Sequence, residues 1–490
     1  MKLAKAIQLM GGNSPGIDPA LMERDVVSFV IDSRDVKAGD VFFALSQPEY
    51  RNNGFNGDFD DATVYVRSSL EKGAVAAVVR QDRFEEYQTE LASIEDKLIF
   101  VDDVIVALQA LAHAVYLEWN RPVVAITGSA GKTTAKELTA HVLEASGRKV
   151  LKNIKNYNNG LGHPLTVLNL AKDALFDIAV LEMGMSTPQH EIERLCRITP
   201  PDISVVLNVL PVHIEHLGTI ERIQQAKAEI VEGMKVGGIA VLNADDHRVA
   251  EMSALSRGSA VTFGIDNQAD VMARDIDFEG FGTTSFALIT KVGEERVSFP
   301  LNGRHNIMNS LAAAAVGYSL GMSVEQIGRA LASVESPPQR GEILRFAAGF
   351  TVINDSYNSN PDALLSMVQT LVEGSEGAKR RVVVAGEMLE LGDDAQRLHI
   401  ETGEKIAASD VDILIGVRGL GRQLIDGAKE AGLKNAIFAE DSDAAGRLLV
   451  DEIKQGDVVL VKGSRGVRTE KVIEQLLDKF ELEDKTAAAN

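Results

Sequence analysis

The residues whose types and spacing most clearly indicate a chemical function lie in one short glycine-containing segment. It reads Gly128, Ser129, Ala130, Gly131, Lys132, Thr133 and Thr134. Phosphate binding requires backbone N–H groups at close range, a positive charge and a hydroxyl that can ligate Mg²⁺, and this segment supplies all three. Its spacing, GxxGKTT, differs from the usual P-loop because the first glycine of that pattern would fall at Ile126. We predict an ATP site with Mg²⁺; a purely structural glycine turn is the alternative.

Other polar residues follow apolar runs that have the character of buried strands. Glu182 closes the run IAVLE, and His213 follows ISVVLNVL. Parallel strands deliver such side chains to one ligand crevice, where Glu182 and His213 could complete a Mg²⁺ shell with Thr133, although histidine is an unusual Mg²⁺ ligand. Ordinary hydrogen bonding is the alternative for each residue alone. Lys227 lies in the helical stretch QAKAEI, where local sequence by itself predicts a solvated lysine.

Three further segments have functional and ordinary interpretations. The stretch 156–165 (NYNNGLGHPL) has neither strand nor helix periodicity, so it is either a binding loop or a surface turn. Arg340 follows two prolines and would reach phosphate only after domain closure; otherwise it is a surface residue. Asp355 ends the strand-like TVIND, and the polar loop behind it is either a site or an ordinary helix start.

The pattern of apolar runs and helix-length stretches around these residues predicts an α/β protein of three domains. The first, residues 1–118, has short strand-like runs and is a small α/β domain. The second, 119–336, begins after Asn120-Arg121-Pro122 and combines a mostly parallel sheet with the glycine loop as a P-loop ATPase. The third, 337–490, begins near two prolines and alternates apolar runs with amphipathic helices, which predicts a doubly wound, Rossmann-like unit.

Composition excludes several classes of protein. The 490 residues contain one cysteine, Cys196, so an intrachain disulfide and thiol-rich metal sites are excluded. A net charge of -21 disfavours a nucleic-acid partner, and anionic substrates would need local basic clusters to overcome it. No apolar run approaches the roughly 20 residues of a membrane span, and no export signal is recognisable at the start. We expect a cytoplasmic protein without an integral membrane segment.

An ordered set of motifs resembles the Mur ligase family. The motifs are TGSAGKTT, NYNNGLGHPLT, LEMG, VHIEHLG, QAKAEI, NGRHNIMNS, PPQRGE and NDSYNSNP. The resemblance implies an N-terminal domain for a UDP-sugar, a central ATPase domain and a C-terminal domain for the incoming amine, acting as a monomer. It also implies a carboxylate-amine ligase that converts ATP to ADP and phosphate through an acyl phosphate.

The same resemblance assigns roles to individual residues. Catalytic roles fall on Lys132, Glu182, His213 and Lys227. Mg²⁺ would be held by Thr133, Glu182 and His213, with Lys227 carbamylated to hold a second ion. Asn306, Asn309, Arg340 and Asp355 would join the glycine loop in binding ATP. The UDP-substrate is assigned to Ser33, Arg34, Asn158 and Asn159, and the amine substrate to Tyr357, Asn358 and Asn360.

Within the family, NDSYNSNP together with VKGSRG most resembles the members that join D-alanyl-D-alanine to UDP-N-acetylmuramoyl-tripeptide. Alternatives are the ligase that adds the third stem residue, a folylpolyglutamate synthase-like ligase, and a non-catalytic P-loop regulator. One stretch departs from the family pattern. After FFAL the family continues with glycine and an Asp-Gly-His segment, whereas this chain has Ser46-Gln47-Pro48 and then Asn52-Asn53-Gly54-Phe55.

Overall fold

Three β-sheets follow one another along the chain in the computed structural model. The structure describes residues 1–55, 58–154, 156–172, 175–185, 190–211, 218–278, 283–335 and 339–483. Within these ranges most neighbouring strands are parallel and helices cover the sheets, which confirms the predicted α/β fold class. No helix of the described part is both long enough and apolar enough to cross a membrane.

The first sheet is parallel and has the order β1-β2-β3-β4. Its strands are β1 Phe29–Val30, β2 Val41–Phe43, β3 Ala76–Arg80 and β4 Leu98–Val101. The helices of this region are α1 Leu3–Met10, α2 Pro19–Met22, α3 Gln47–Asn52, α4 Val66–Glu71, α5 Gln81–Glu86, α6 Gln88–Leu91 and α7 Val104–Trp119. The strands are almost wholly buried, as their continuous apolar runs indicate.

The second sheet has the order β13-β12-β11-β10-β9-β8-β5-β7-β6. Its strands are β5 Val123–Thr127, β6 Val150–Lys152, β7 Ile178–Glu182, β8 Ile203–Val206, β9 Ile239–Asn243, β10 Ser259–Gly264, β11 Val271–Phe278, β12 Thr284–Thr290 and β13 Gly293–Phe299. Pairing is parallel from β6 to β11, whereas β12 is antiparallel to both β11 and β13. The sequence did not predict this antiparallel extension because β11 and β13 mix exposed with buried residues and lack a continuous apolar run.

Helices surround this second sheet and close its core. They are α8 Lys132–Ala145, α9 Gly162–Val167, α10 Glu191–Ile198, α11 Ile220–Glu232, α12 His247–Glu251, α13 Arg304–Ser319 and α14 Val324–Ala332. α9 begins inside the stretch for which the sequence predicted neither helix nor strand, so that part of the prediction is wrong. Its six residues are too few for the 3.6-residue periodicity to show.

The third sheet has the order β14-β15-β19-β16-β17-β18 and is parallel except for the β14–β15 hairpin. Its strands are β14 Glu342–Phe346, β15 Phe350–Asp355, β16 Arg380–Gly386, β17 Ile413–Val417, β18 Ala436–Ala439 and β19 Asp457–Lys462. The helices are α15 Pro361–Gly374, α16 Ala395–Ala407, α17 Gly421–Glu430, α18 Ser442–Glu452 and α19 Glu470–Lys479. Apolar clusters lie on both faces of this sheet, as in a doubly wound fold.

The predicted domain boundaries, after residues 118 and 336, stay predictions. Helix α7 crosses the first of them and packs against both α1 of the first region and α9 and α10 of the second. A single apolar cluster runs from Leu3 to Met252, and the Trp119 indole N–H donates to the Phe176 carbonyl at 3.0 Å. The second boundary falls within residues 336–338, outside the described ranges.

Candidate active site

The glycine loop connects β5 to α8 and leaves the start of that helix open. Gly131 has a φ of +82°, and a Cβ atom there would lie 2.4 Å from Oδ1 of Asn309. Glycine is therefore required for both the backbone conformation and the close approach of α13. The first N–H groups of α8 have no carbonyl partner inside the helix, and the helix dipole adds partial positive charge. This end of α8 is suited to bind an anion.

The loop is held in shape from the end of β8. The Asn208 side-chain oxygen accepts from the Ala130 N–H at 2.9 Å, and the Asn208 carbonyl accepts from the Ser129 N–H at 3.1 Å. The Ser129 hydroxyl donates to the Leu210 carbonyl at 3.0 Å. The loop geometry is thus fixed by strand β8 and the residues after it, in addition to the glycines.

Glu182 brings two predicted site residues together at the carboxyl end of β7. Its backbone lies opposite Ile126 of β5, and its side chain is only 4% exposed. One carboxylate oxygen accepts from the Thr133 hydroxyl at 2.8 Å, and the other accepts from the Asn158 side-chain amide at 2.7 Å. A carboxylate beside a hydroxyl is a donor set of hard oxygens and fits Mg²⁺.

Two desolvated lysines on different helices lie close enough together at this site for one charge to affect the other. The Lys132 ammonium donates to the Gly128 carbonyl at 2.9 Å. Desolvation lowers the pKa of Lys132, the Glu182 carboxylate opposes that shift, and the Arg340 charge reinforces it. Lys227, on α11, is 2% exposed, and its burial followed by the charge of Lys132 holds its pKa well below the usual range.

The environment of Lys227 differs from the local expectation. The prediction of a solvated lysine, made from its helical segment alone, is wrong, because Lys227 is buried. Among the described residues no carboxylate pairs with it. A depressed pKa favours the uncharged form of a lysine, and the uncharged amine can react with carbon dioxide to form a carbamate. The resulting oxygens could ligate a cation.

Helix α13 lines the other side of the glycine loop. Asn306 and Asn309 are both buried and lie one helical turn apart. Asn309 lies against Gly131, and the Asn306 side-chain amide donates to the Asn302 carbonyl at 2.8 Å. The structure therefore places Asn306 and Asn309, both predicted to bind ATP, on a helix next to the predicted phosphate loop.

The third sheet contributes a separate polar cluster. The Arg340 guanidinium lies 4.0 Å from the ring centroid of Tyr357, and the Arg465 guanidinium lies 5.7 Å from it on the same ring. Asp355 forms an ion pair with Lys462, whose ammonium also donates to the Asn358 carbonyl at 2.9 Å. The Asn360 side chain caps α15 by accepting from the Ala363 N–H at 2.8 Å, which is the ordinary helix start considered for this loop.

Two family models match the chain over its second and third sheets. The Mur ligase middle domain matches residues 126–317, and the model named "Mur ligase, glutamate ligase domain" matches residues 339–465. A Bacillus subtilis protein named UDP-N-acetylmuramoyl-tripeptide--D-alanyl-D-alanine ligase is 33% identical over 425 residues, covering 86% of this chain and 89% of the relative. The chain belongs to the Mur ligase family.

Solved Mur ligase structures share the whole architecture. MurF from Acinetobacter baumannii superposes with a TM-score of 0.82 at 27% identity, covering 98% of this chain and 99% of that one. MurF from Thermotoga maritima in complex with ADP gives a TM-score of 0.78 at 28% identity, covering 92% and 97%. The three-domain α/β organisation predicted for this Mur ligase is thus found along its full length.

The residues assigned to the UDP-substrate fall in two places in this Mur ligase. Arg34 is exposed and forms a bidentate ion pair with Asp32, whose pKa this contact lowers. The Ser33 carbonyl accepts from the Lys72 ammonium at 2.7 Å. Asn158 instead contacts Glu182, and the Asn159 side chain accepts from the Gly162 N–H at the start of α9. The first pair lies at the first sheet and the second pair at the phosphate corner.

The proposed metal set is only partly placed. His213 falls within residues 212–217, outside the described ranges, so its predicted role stays a prediction. In the described part of the chain no group of three or more His, Cys, Asp or Glu side chains is arranged to hold a metal ion. Thr133 and Glu182 are in contact, and Lys227 lies close enough to Lys132 for its pKa to respond.

The departing segment after β2 forms helix α3 and packs at the junction of the first two sheets. Glu49 is fully buried; its carboxylate accepts from the Ser46 N–H at 2.6 Å and from the Val104 N–H, at the start of α7, at 2.9 Å. Burial raises the pKa of Glu49 to about 7. The Arg194 guanidinium donates to the Asn53 carbonyl at 2.6 Å. An apolar residue pattern could not have indicated this buried carboxylate.

Proposed function

We propose that this chain is an ATP-dependent ligase that joins D-alanyl-D-alanine to the terminal carboxylate of UDP-N-acetylmuramoyl-tripeptide in peptidoglycan precursor synthesis. The observation that carries ATP use is the cluster of Lys132, Lys227, Thr133 and Glu182 around the open end of α8. The identity of the two substrates rests on the curated relative from Bacillus subtilis, whose name states them and which aligns with 86% of the chain.

The reaction needs an activated carboxylate because a free carboxylate is a poor electrophile. A terminal carboxylate oxygen of the tripeptide attacks the γ-phosphorus of ATP, and the bond to the β,γ-bridging oxygen breaks to release ADP. The product is an acyl phosphate. The α8 N–H groups and the Lys132 ammonium stabilise the negative charge on the transferring phosphoryl group. Their effect is strong because Lys132 is desolvated.

The second step forms the peptide bond. The amine nitrogen of D-alanyl-D-alanine attacks the acyl carbon, the tetrahedral intermediate collapses, and phosphate leaves with one of the original carboxylate oxygens. One proton is released from the amine. Tyr357, Asn358 and Asn360 lie in the loop between β15 and α15, which we assign to the amine substrate. Arg340 and Asp355 approach the nucleotide when the third sheet closes on the second, and closure excludes the water that would hydrolyse the acyl phosphate.

The donor set also fits Mg²⁺, which would supply positive charge to the phosphate oxygens when it is bound. Thr133 and Glu182 would hold it, together with His213. Burial favours the uncharged amine of Lys227, the form that captures carbon dioxide by forming a nitrogen–carbon bond with loss of a proton. The resulting carbamate would add oxygen ligands to those of Thr133 and Glu182. We place the reaction in the cytoplasm, where ATP is available.

A substrate panel tests this assignment. The chain would be incubated with ATP and UDP-N-acetylmuramoyl-tripeptide together with D-alanyl-D-alanine, D-alanine or buffer, and products would be identified by mass. A parallel arm would offer UDP-N-acetylmuramoyl-dipeptide with diaminopimelate or lysine, and another would offer a folate with glutamate. We expect ligation only with the tripeptide and D-alanyl-D-alanine. Ligation only in another arm would identify a different ligase, and ATP binding without turnover would identify a regulator.

A further inference from the structure

One buried amide continues the β6–β7 pairing beyond the end of β6. The backbone register runs Val150 to Ile178, Leu151 to Ala179 and Lys152 to Val180, and then β6 ends. The Asn153 side chain takes over: its Oδ1 accepts from the Glu182 N–H at 3.0 Å, and its Nδ2 donates to the Glu182 carbonyl at 3.0 Å. One side-chain amide therefore acts as a peptide group for Glu182.

The same amide also ties down the loop that contacts the Glu182 carboxylate. Asn153 Nδ2 donates to the Tyr157 carbonyl at 3.0 Å, and the adjacent Asn158 donates to the carboxylate at 2.7 Å. The Asn158 carbonyl in turn accepts from the Gly184 N–H at 2.9 Å. Asn153 thus supports Glu182 at its backbone directly and at its side chain through one intervening residue.

Asn153 is itself held by the helix that follows the glycine loop. The Lys136 ammonium, one turn after Lys132 on α8, donates to the Asn153 carbonyl at 2.6 Å. Lys136 is buried and pairs with Glu137 at 2.9 Å, and Glu137 pairs with Lys152 at 2.6 Å. These contacts connect α8, which carries Lys132 and Thr133, to the strand end that carries Glu182.

We propose that Asn153 is a positioning residue that fixes Glu182 relative to Thr133 and so sets the geometry in which a divalent cation and the nucleotide phosphates bind. This inference rests on the proposed function, because it assigns Glu182 to that site. Loss of the amide would leave the Glu182 N–H and carbonyl buried without these partners, and the strand end would shift to satisfy them. Residues that orient a metal ligand in this way typically change metal affinity by about 10–100-fold.

The chain contains a matched control in the same sheet. Asn243, at the end of β9, is also buried; its Nδ2 donates to the Leu207 carbonyl at 2.8 Å, and its Oδ1 accepts from the Asp245 N–H at 2.9 Å. It makes the same kind of contact to backbone groups but not to Glu182 or to the segment after β6. Substitution of Asn243 therefore reports the structural cost of removing a buried amide from a strand end.

The experiment measures ADP binding by calorimetry with Mg²⁺ and with a chelator, in the wild type, Asn153→Ala, Asn153→Ser and Asn243→Ala. The measured quantity is the ratio of the Kd without Mg²⁺ to the Kd with Mg²⁺. We expect the ratio to fall about tenfold in Asn153→Ala and less in Asn153→Ser, which retains one hydrogen-bonding oxygen. We expect the wild-type ratio in Asn243→Ala. Binding without Mg²⁺ should be similar in all four proteins.

An unchanged ratio in Asn153→Ala would overturn the positioning role, and so would an equal fall in Asn243→Ala. If Asn153→Ala does not fold, Asn153→Ser decides by the same ratio. The proposed function is tested separately by the mass of the wild-type product. If the wild type does not ligate but the ratio is lowered in the Asn153 variants, the reaction is rejected and the positioning role is retained. If the wild type ligates and the ratio is unchanged in the Asn153 variants, only the positioning role is rejected.

Discussion

The carboxyl ends of the second and third sheets both carry charged residues, but the two edges balance charge differently. At the second sheet, Lys132 and Lys227 are both desolvated, and the Glu182 carboxylate acts on Lys132. At the third sheet, Asp355 and Lys462 neutralise each other. Among the described residues, the edge of the second sheet therefore has two desolvated lysines for one carboxylate, whereas the lysine at the edge of the third sheet is paired with Asp355.

This difference indicates which edge is completed by an anion. A desolvated lysine without a paired carboxylate is unstable as a cation and gains most from a bound phosphate. The whole chain carries a net charge of -21, so a local group of basic residues is needed to attract a nucleotide. The carboxyl edge of the third sheet instead presents the Tyr357 ring near the guanidinium groups of Arg340 and Arg465, at the surface proposed for the amine substrate.

Removal of Lys132 should have the largest effect of the substitutions at the edge of the second sheet. We expect Lys132→Ala to reduce the ligation rate by about 1000-fold, because the transferring phosphoryl group loses its desolvated cation. Phosphate release measures the effect, and circular dichroism checks the fold. Lys291→Ala is the control, since that lysine lies in the β12–β13 turn of the same sheet and its side chain is 72% exposed. Near-normal turnover of Lys132→Ala would contradict the phosphate-loop assignment.

Substitution of Lys227 separates charge from carbamate chemistry. We expect both Lys227→Ala and Lys227→Arg to lose about 100-fold in kcat, because neither can form a carbamate that ligates a cation. Short carboxylic acids should partly restore Lys227→Ala, where they can occupy the space left by the side chain, but not Lys227→Arg. Steady-state rates with increasing acetate or formate measure the rescue. Wild-type activity in Lys227→Arg would rule out the carbamate.

Near the first sheet, a buried carboxyl group has no ion-pair partner among the described residues and is satisfied by backbone N–H groups: Glu49 accepts from Ser46 and Val104. Its pKa is raised from 4.5 to about 7, so its contribution to stability is complete below pH 4.5 and is lost as the pH rises through 7. We expect the free energy of unfolding of the wild type to fall by on the order of 2 kcal/mol across this range relative to Glu49→Gln.

Denaturant unfolding at pH 4.5 and pH 8 measures the Glu49 effect as the difference between the two proteins. Glu71→Gln, an exposed glutamate on α4, is the control and should show the wild-type pH dependence. If Glu49→Gln and the wild type lost stability equally with rising pH, the buried carboxyl would not be the titrating group.

The smallest expected effect is on the KM for the amine substrate and concerns the carboxyl edge of the third sheet. We expect Tyr357→Ala to raise the KM for D-alanyl-D-alanine about fivefold, because Arg340 and Arg465 lose the ring on which they stack. Tyr357→Phe retains the ring and should behave as the wild type. An equal rise of the KM in both variants would show that the hydroxyl, not the ring, is responsible.

The sequence was sufficient for the elements that follow regular patterns. The runs that became β5, β7 and β19 are continuous and apolar because both faces of their sheets are covered, so they were recognisable. The glycine loop and Glu182 follow from such strands. Motif order then assigned Lys227, whose burial its own helical segment does not indicate.

The remaining features depend on contacts between distant parts of the chain. Asn153 follows a strand of three residues, which is too short to recognise, and its partners lie 29 residues away in sequence. Asn208 and Glu49 are polar residues whose roles come from the backbone groups they meet after folding. Periodicity and composition contain no information about such pairings, so only the three-dimensional structure identifies them.

The most direct test of the account follows one oxygen atom from substrate to product. The terminal carboxylate of UDP-N-acetylmuramoyl-tripeptide would be labelled with ¹⁸O and ligated to D-alanyl-D-alanine with ATP, and the released phosphate would be analysed by mass spectrometry. We expect one ¹⁸O atom in phosphate for each peptide bond formed, because the carboxylate attacks phosphorus at the Lys132 site and phosphate leaves with that oxygen. Ligation that released unlabelled phosphate would contradict it.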